Sequence, residues 1–187
     1  FIKQPRSVVV GTQLEGVSIN INRSHKAVRV GFHPGGMHRL LGLDMSECID
    51  NSYNAEDVFG KEMYSLNEHL AECKTFDEIK SAIEIFLIDR LNNVKQGLPF
   101  DKAICEMVNC GGLITIDQAA AMACLSVRQF ERISKQRVGM SPKLYARLIR
   151  FSRSYRMREK FTHLTWTNIA HQCGYFDQMH FIRDFKF

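Results

Sequence analysis

The feature that most limits how this chain can fold is a repeat. Residues 115–137 resemble residues 165–187. Ala120 aligns with Ala170, Cys124 with Gly174 and Leu125 with Tyr175, each at an offset of 50. One extra residue then enters the second copy, so that Phe130 aligns with Phe181 and Arg132 with Arg183 at an offset of 51. One copy opens as a helix at Ile116-Asp117-Gln118-Ala119-Ala120, the other at Thr167-Asn168-Ile169-Ala170. Each places a small residue where two helices must approach closely. A turn follows, then a capping residue, Ser126 or Asp177, then a helix with an aromatic anchor and outward basic residues. That order is the grammar of a helix-turn-helix unit, which a pair of plain αα-hairpins would share apart from the charge.

The link between the copies is equally ordered. Gly139-Met140 ends one helix, and Ser141 and Pro142 supply the N-cap and first helical position of the next. Leu144, Leu148, Phe151, Tyr155 and Phe161 are expected to line one stripe of a helix reaching about Lys160. About 18 residues at 1.5 Å each make a rod of roughly 27 Å. Such a rod could hold the two basic helices about one DNA turn apart, roughly 34 Å. Charge follows the same division. Residues 1–100 carry 11 Lys and Arg against 13 Asp and Glu, whereas residues 101–187 carry 14 against 7. Between 124 and 160 the count is 11 against 2, the footprint of a surface that meets a polyanion, or else of a solvated basic face.

The first third reads differently. Residues 7–11, 17–21 and 27–32 are short, β-branched runs that predict three strands. Three strands with an open edge need completion from elsewhere. After His33-Pro34-Gly35-Gly36 the pattern turns helical, with candidates at Met37–Leu43, Ala55–Gly60 and Lys61–Cys73. Phe76, Ile79, Ile83, Phe86, Leu87, Leu91 and Val94 then predict one amphipathic helix, with Thr75 and Glu78 as a capping box. Its apolar stripe reads as core or as a seam with another chain. Gln96-Gly97-Leu98-Pro99 marks the domain boundary, giving domains 1–97 and 98–187, and Pro99–Asn109 opens the second.

Several function classes have no foothold. No run of about 18 apolar residues occurs, so no membrane span is expected. The start, Phe1 to Arg6, lacks the apolar stretch of a signal peptide. The chain does not begin with Met, and Phe185-Lys186-Phe187 falls inside a predicted helix, so it reads as a fragment of a longer protein. Cysteines 48, 73, 105, 110, 124 and 173 form no CxxC pair and are expected to be buried, reduced thiols. His33 and His38 have no acidic partner at metal-ligand spacing, so His25, His33, His38 and His69 read as surface or capping groups. No nucleophile motif and no phosphate loop appears, so neither enzyme activity, metal nor cofactor is expected.

Three segments carry a resemblance: Leu125-Ser126-Val127-Arg128-Gln129-Phe130-Glu131-Arg132, then Gly139-Met140-Ser141-Pro142, then Gly174 through Lys186. In this order and spacing, residues 110–187 resemble the AraC/XylS transcription regulators of bacteria. More weakly, residues 1–95 resemble the helical end of a cupin-like sensor domain. The resemblance implies a mostly α protein. Its tandem helix-turn-helix domain, joined by a long helix, follows a small α+β remnant of a sensor domain. It implies a cytoplasmic, nucleoid-associated regulator with double-stranded DNA as partner and RNA polymerase as a further one. It leaves room for a small-molecule effector and for a homodimer.

It also assigns base reading to Arg128, Gln129, Glu131 and Arg132, and to Gln178, Met179, His180 and Arg183. Arg suits guanine O6 and N7, Gln suits adenine, and Glu accepts from cytosine N4. Glu131 has the alternative of orienting Arg128 or Arg132, Met179 of packing rather than touching a thymine methyl, and His180 of donating to phosphate. Phosphate contacts are expected at Ser126, Lys135, Arg147, Arg150, Thr165, Thr167 and Lys186. Arg147, Arg150, Arg153 and Arg156 step by three, so they drift around the rod and cannot all face DNA. Two departures predict a looser first unit. Cys124 replaces a usual Gly, at about 1 kcal/mol if the backbone is left-handed. Ser134 replaces a usual Phe, at about 2–4 kcal/mol unless Ile133 rotates to compensate.

Overall fold

A computed structural model describes residues 4–18 and 26–185. By contact the chain forms two compact units, one of residues up to Gln96 with Arg137–Gly139, the other of Gly97–Gln136 with residues from Met140 onward.

The first unit holds a two-stranded antiparallel ladder. Strand β1 (Val8–Val10) pairs with β2 (Ser52–Asn54), Val9 standing opposite Tyr53. Helices α1 (Gly36–Leu41), α2 (Ala55–Phe59), α3 (Lys61–Glu72) and α4 (Phe76–Asp89) surround it. Val9, Ala55 and Met63 form the buried centre, with Met37, Leu41, Val58, Phe59, Leu66 and Phe86 packed on them. The strands expected at 17–21 and 27–32 are not formed at residues 17, 18 and 27–32, which are irregular; residues 19–21 lie outside the described residues. The one ladder formed takes its second strand from residues 52–54, and the apolar residues at 27–32 join neither β1 nor β2. The capping box of Thr75 and Glu78 is present. The helix it starts ends at Asp89, and Arg90–Asn93 winds as a 3₁₀ turn. That tighter winding breaks the α period, so Leu91 points outward, and Phe76 is also exposed.

His38 corrects the expectation of a surface histidine. It is buried, its Nδ1 donates to the Leu43 carbonyl at 2.6 Å, and burial lowers its pKa. His33 and His69 are exposed, and His25 lies outside the described residues. All six cysteines are free, but only Cys48 and Cys173 are buried, and Cys124 is exposed.

The second unit is helical: α5 (Pro99–Asn109), α6 (Ile116–Met122), α7 (Val127–Val138), α8 (Pro142–Lys160), α9 (Trp166–Gln172) and α10 (Gln178–Phe185). Helix α8 runs 19 residues from a Ser141 cap whose side chain accepts from the Leu144 N–H. Its buried residues correct the expected stripe. Ala146 and Ser154 are buried, whereas Tyr155 and Phe161 are exposed. At Ala146 the backbone of a neighbouring turn comes close. A Cβ on Gly112, at the α5–α6 turn, would fall 2.6 Å from the Ala146 carbonyl oxygen. Among the described residues no helix is long and apolar enough to cross a membrane.

Candidate nucleic-acid interface

Each copy of the repeat is a pair of helices around its own core. In the first, Phe130 of α7 turns inward and its ring lies 4.9 Å from that of Phe100, beside buried Ala119, Ala120 and Ala123. In the second, Ile169, Ala170, Cys173, Tyr175 and Phe181 form the core, closed by Met157 and Leu164. With the aromatic anchor facing in, the remaining faces of α7 and α10 point out. Arg128, Gln129, Glu131, Arg132 and Lys135 are exposed and line one shallow open groove. Gln178, Met179, His180 and Arg183 are exposed on α10.

Local hydrogen bonds fix where these side chains begin. Ser126 caps α7, its Oγ accepting from the Gln129 N–H at 3.3 Å. Gln129 returns the contact, its Oε1 accepting from the Ser126 N–H and hydroxyl at 3.1 Å each. The Gln129 side chain is thus held back along the helix end, an engagement that its assignment to base reading did not foresee. Asp177 caps α10 by accepting from the His180 N–H at 2.6 Å, and the His180 ring rests edge-on against Tyr175, with centroids 5.4 Å apart. Thr165 caps α9 by accepting from the Asn168 N–H at 3.2 Å, and Thr167 is exposed two residues on. Lys186 lies outside the described residues.

Two of the expected phosphate ligands are engaged inside the unit instead. Asp184, almost fully buried on α10, takes Arg147 Nε at 2.8 Å on one carboxylate oxygen and faces Arg150 at 4.0 Å with the other. Arg150 also donates to the Gly112 carbonyl at 2.8 Å, and its guanidinium lies 5.7 Å from the centre of the Tyr175 ring. Asp184 Oδ2 and the Tyr175 hydroxyl are buried and have no hydrogen-bond partner among the described residues. Burial, then the Asp184 carboxylate, pushes the Tyr175 phenol well above its usual range. The sequence pattern missed this network because Asp184 sits among residues that otherwise read as an outward basic face. Further along α8, Arg156 Nε donates to the Ser152 carbonyl at 3.2 Å, and Arg158 donates to the carbonyls of Thr162 and Leu164.

The left-handed turn residues also correspond. Cys124 has φ +54° and Gly174 φ +78°, so the same backbone conformation is reached with a β-carbon in one copy and without it in the other. Ser134 is fully buried, and its hydroxyl donates to the Met140 carbonyl at 2.7 Å. It therefore ties down the chain entering α8, a use that its reading as a core defect had omitted.

Comparison with known proteins agrees with this geometry. Residues 119–186 match a family model described as a helix-turn-helix domain. The chain is 27% identical over 150 residues to the HTH-type transcriptional activator RhaS of Pectobacterium atrosepticum. That alignment covers 80% of this chain and 48% of the relative, so the chain spans about half the relative's length. No solved structure matches it.

Proposed function

We propose that this chain is the DNA-binding part of a bacterial transcription regulator that reads a specific site through α7 and α10. The observation that carries the reading is the sidedness of both helices. Phe130 and Phe181 are buried, while Arg128, Arg132 and Lys135 in one copy and Gln178, Met179 and Arg183 in the other face solvent. Helix α8, at 19 residues, is a rod of roughly 28 Å, suited to presenting the two helices to successive major grooves of one duplex. Ser126, Lys135, Thr165 and Thr167 are the phosphate contacts in this reading. Lys186 keeps that assignment from the sequence alone. Such a regulator works in the cytoplasm at the nucleoid, without catalysis, alongside RNA polymerase and with an effector of its first unit.

Selecting bound duplexes from a random library tests the reading. We expect one recovered sequence with two half-sites about one turn apart, and affinity that falls steeply with salt as Lys and Arg displace counterions. Arg183→Ala should weaken that site by about 1–3 kcal/mol and relax preference at one base pair. Equal loss on random DNA would move Arg183 to a phosphate. Recovery of no preferred sequence would defeat the proposal.

A second reading is association of two copies through residues 75–95, which hold α4 and the 3₁₀ turn after it. It is favoured by Ile85, Ile88 and Leu91, which recur every three residues and are all exposed. Sedimentation at rising concentration tests it, and Ile88→Glu should abolish any dimer seen.

A further inference from the structure

The two helix-turn-helix copies differ by one residue, and that residue is Phe176. In the first copy, left-handed Cys124 is followed by Leu125, the cap Ser126 and then α7. In the second, Gly174 is followed by Tyr175, Phe176, the cap Asp177 and then α10. Tyr175 takes the core place of Leu125, and the caps correspond, so Phe176 is the insertion. Its side chain is 87% exposed. The core of this copy is complete without it, from Ile169, Ala170, Cys173, Tyr175 and Phe181.

Three residues on, Met179 is 60% exposed. By the same alignment, Met179 occupies the place that Arg128 holds in α7. The head of one reading helix thus carries a guanidinium, and the head of the other carries a thioether, with an exposed phenyl ring just before its cap. The N-terminal residues of a recognition helix are those that meet base edges. Apolar side chains there have one sequence-specific partner in the major groove, the C5-methyl group of thymine, whereas arginine pairs with guanine O6 and N7.

We propose that Phe176 and Met179 form a methyl-reading surface selecting thymine in the half-site bound by α10, with Arg128 selecting guanine at the matching position of the other half-site. This rests on the DNA-binding reading above. Flanking Gln178 and Arg183 supply the polar contacts that orient the helix, and the apolar pair adds the discrimination that hydrogen bonds do not provide.

The test uses the full chain and the duplex recovered by selection. Each thymine in turn is replaced by uracil, which removes the methyl group and leaves the hydrogen-bonding edges unchanged. For the native chain, affinity should fall about 3- to 10-fold at one or two thymines of a single half-site, the scale of losing a buried methyl contact. Phe176→Ser and Met179→Ala, alone and together, should bind the uracil and thymine duplexes with converging affinity. Both positions are exposed, and a thermal melt checks that the variants remain folded. If the thymine-to-uracil ratio is the same in the native chain and in both variants at every position, the proposal is overturned while DNA binding stands. If selection yields no preferred duplex, both fail together.

Discussion

The two copies of the repeat solve one folding problem with different materials. Both bury an aromatic at the same place in the second helix, Phe130 and Phe181, and both cap that helix with a side-chain oxygen, from Ser126 or Asp177. They differ in what surrounds the anchor. The first copy leans on α5, where Phe100, Ala103, Ile104 and Met107 are buried, and closes its end with the Ser134 hydroxyl on the Met140 carbonyl. The second has a core of five buried residues and is tied to α8 by a buried carboxylate held between two arginines. A helix-turn-helix pair can therefore be anchored by apolar bulk from a neighbouring helix or by an ion pair, with the same outward face as the result.

The sharpest way to break this equivalence is to remove the anchors. Phe130→Ala and Phe181→Ala should each cost about 3–5 kcal/mol, read as lost stability in urea unfolding. A much smaller loss at Phe130 would mean that the first copy is loosely packed, as the substitution of Ser134 for phenylalanine suggests from sequence. The burial of Phe130 against Phe100 predicts near-equal losses.

The ion pair separates the copies. Asp184→Ala should destabilise by about 3 kcal/mol, because Arg147 and Arg150 are then left mostly buried without their counter-charge. The corresponding change in the first copy, Ile133→Ala, removes only apolar contact from a half-buried residue. If Asp184→Ala melts at the native temperature, the network is not what holds α10 to α8. Ser134→Ala probes the first copy in the same manner, with an expected cost of about 1–2 kcal/mol for the unpaired Met140 carbonyl.

Much of this architecture was legible in the sequence, and the reasons are local. Pro99, Ser141-Pro142 and the Thr75–Glu78 pair start helices through their own backbone preferences, and each helix begins where those residues place it. The exposed faces of α7 and α10 followed from the spacing of Phe130 and Phe181 within a basic segment. What stayed hidden depends on distant partners. The pairing of Val8–Val10 with Ser52–Asn54 joins segments that share no periodic signal. Ala146 is buried where Gly112 approaches the rod, and Ser154 is buried with its hydroxyl on the Phe151 carbonyl, so the large residues nearby suggested the wrong stripe. Arg147 and Arg150 carry the charge expected of phosphate ligands, and only the position of Asp184 shows where that charge goes.

The smallest effect isolates the turn itself. A β-carbon in the left-handed region costs about 1 kcal/mol, and Cys124 bears one at φ +54°. Cys124→Gly should therefore stabilise the chain by up to about 1 kcal/mol, less the greater freedom of glycine in the unfolded state. Gly174→Ala should act in the opposite direction and more strongly. At φ +78° it incurs the same strain, and its β-carbon would fall 2.1 Å from Leu113 Cδ2, so that side chain must also move. A loss of about 1–2 kcal/mol is expected. If both substitutions proved neutral in chemical unfolding, the turns would be relaxing elsewhere, and the correspondence between the copies would hold for helix order but not for backbone conformation.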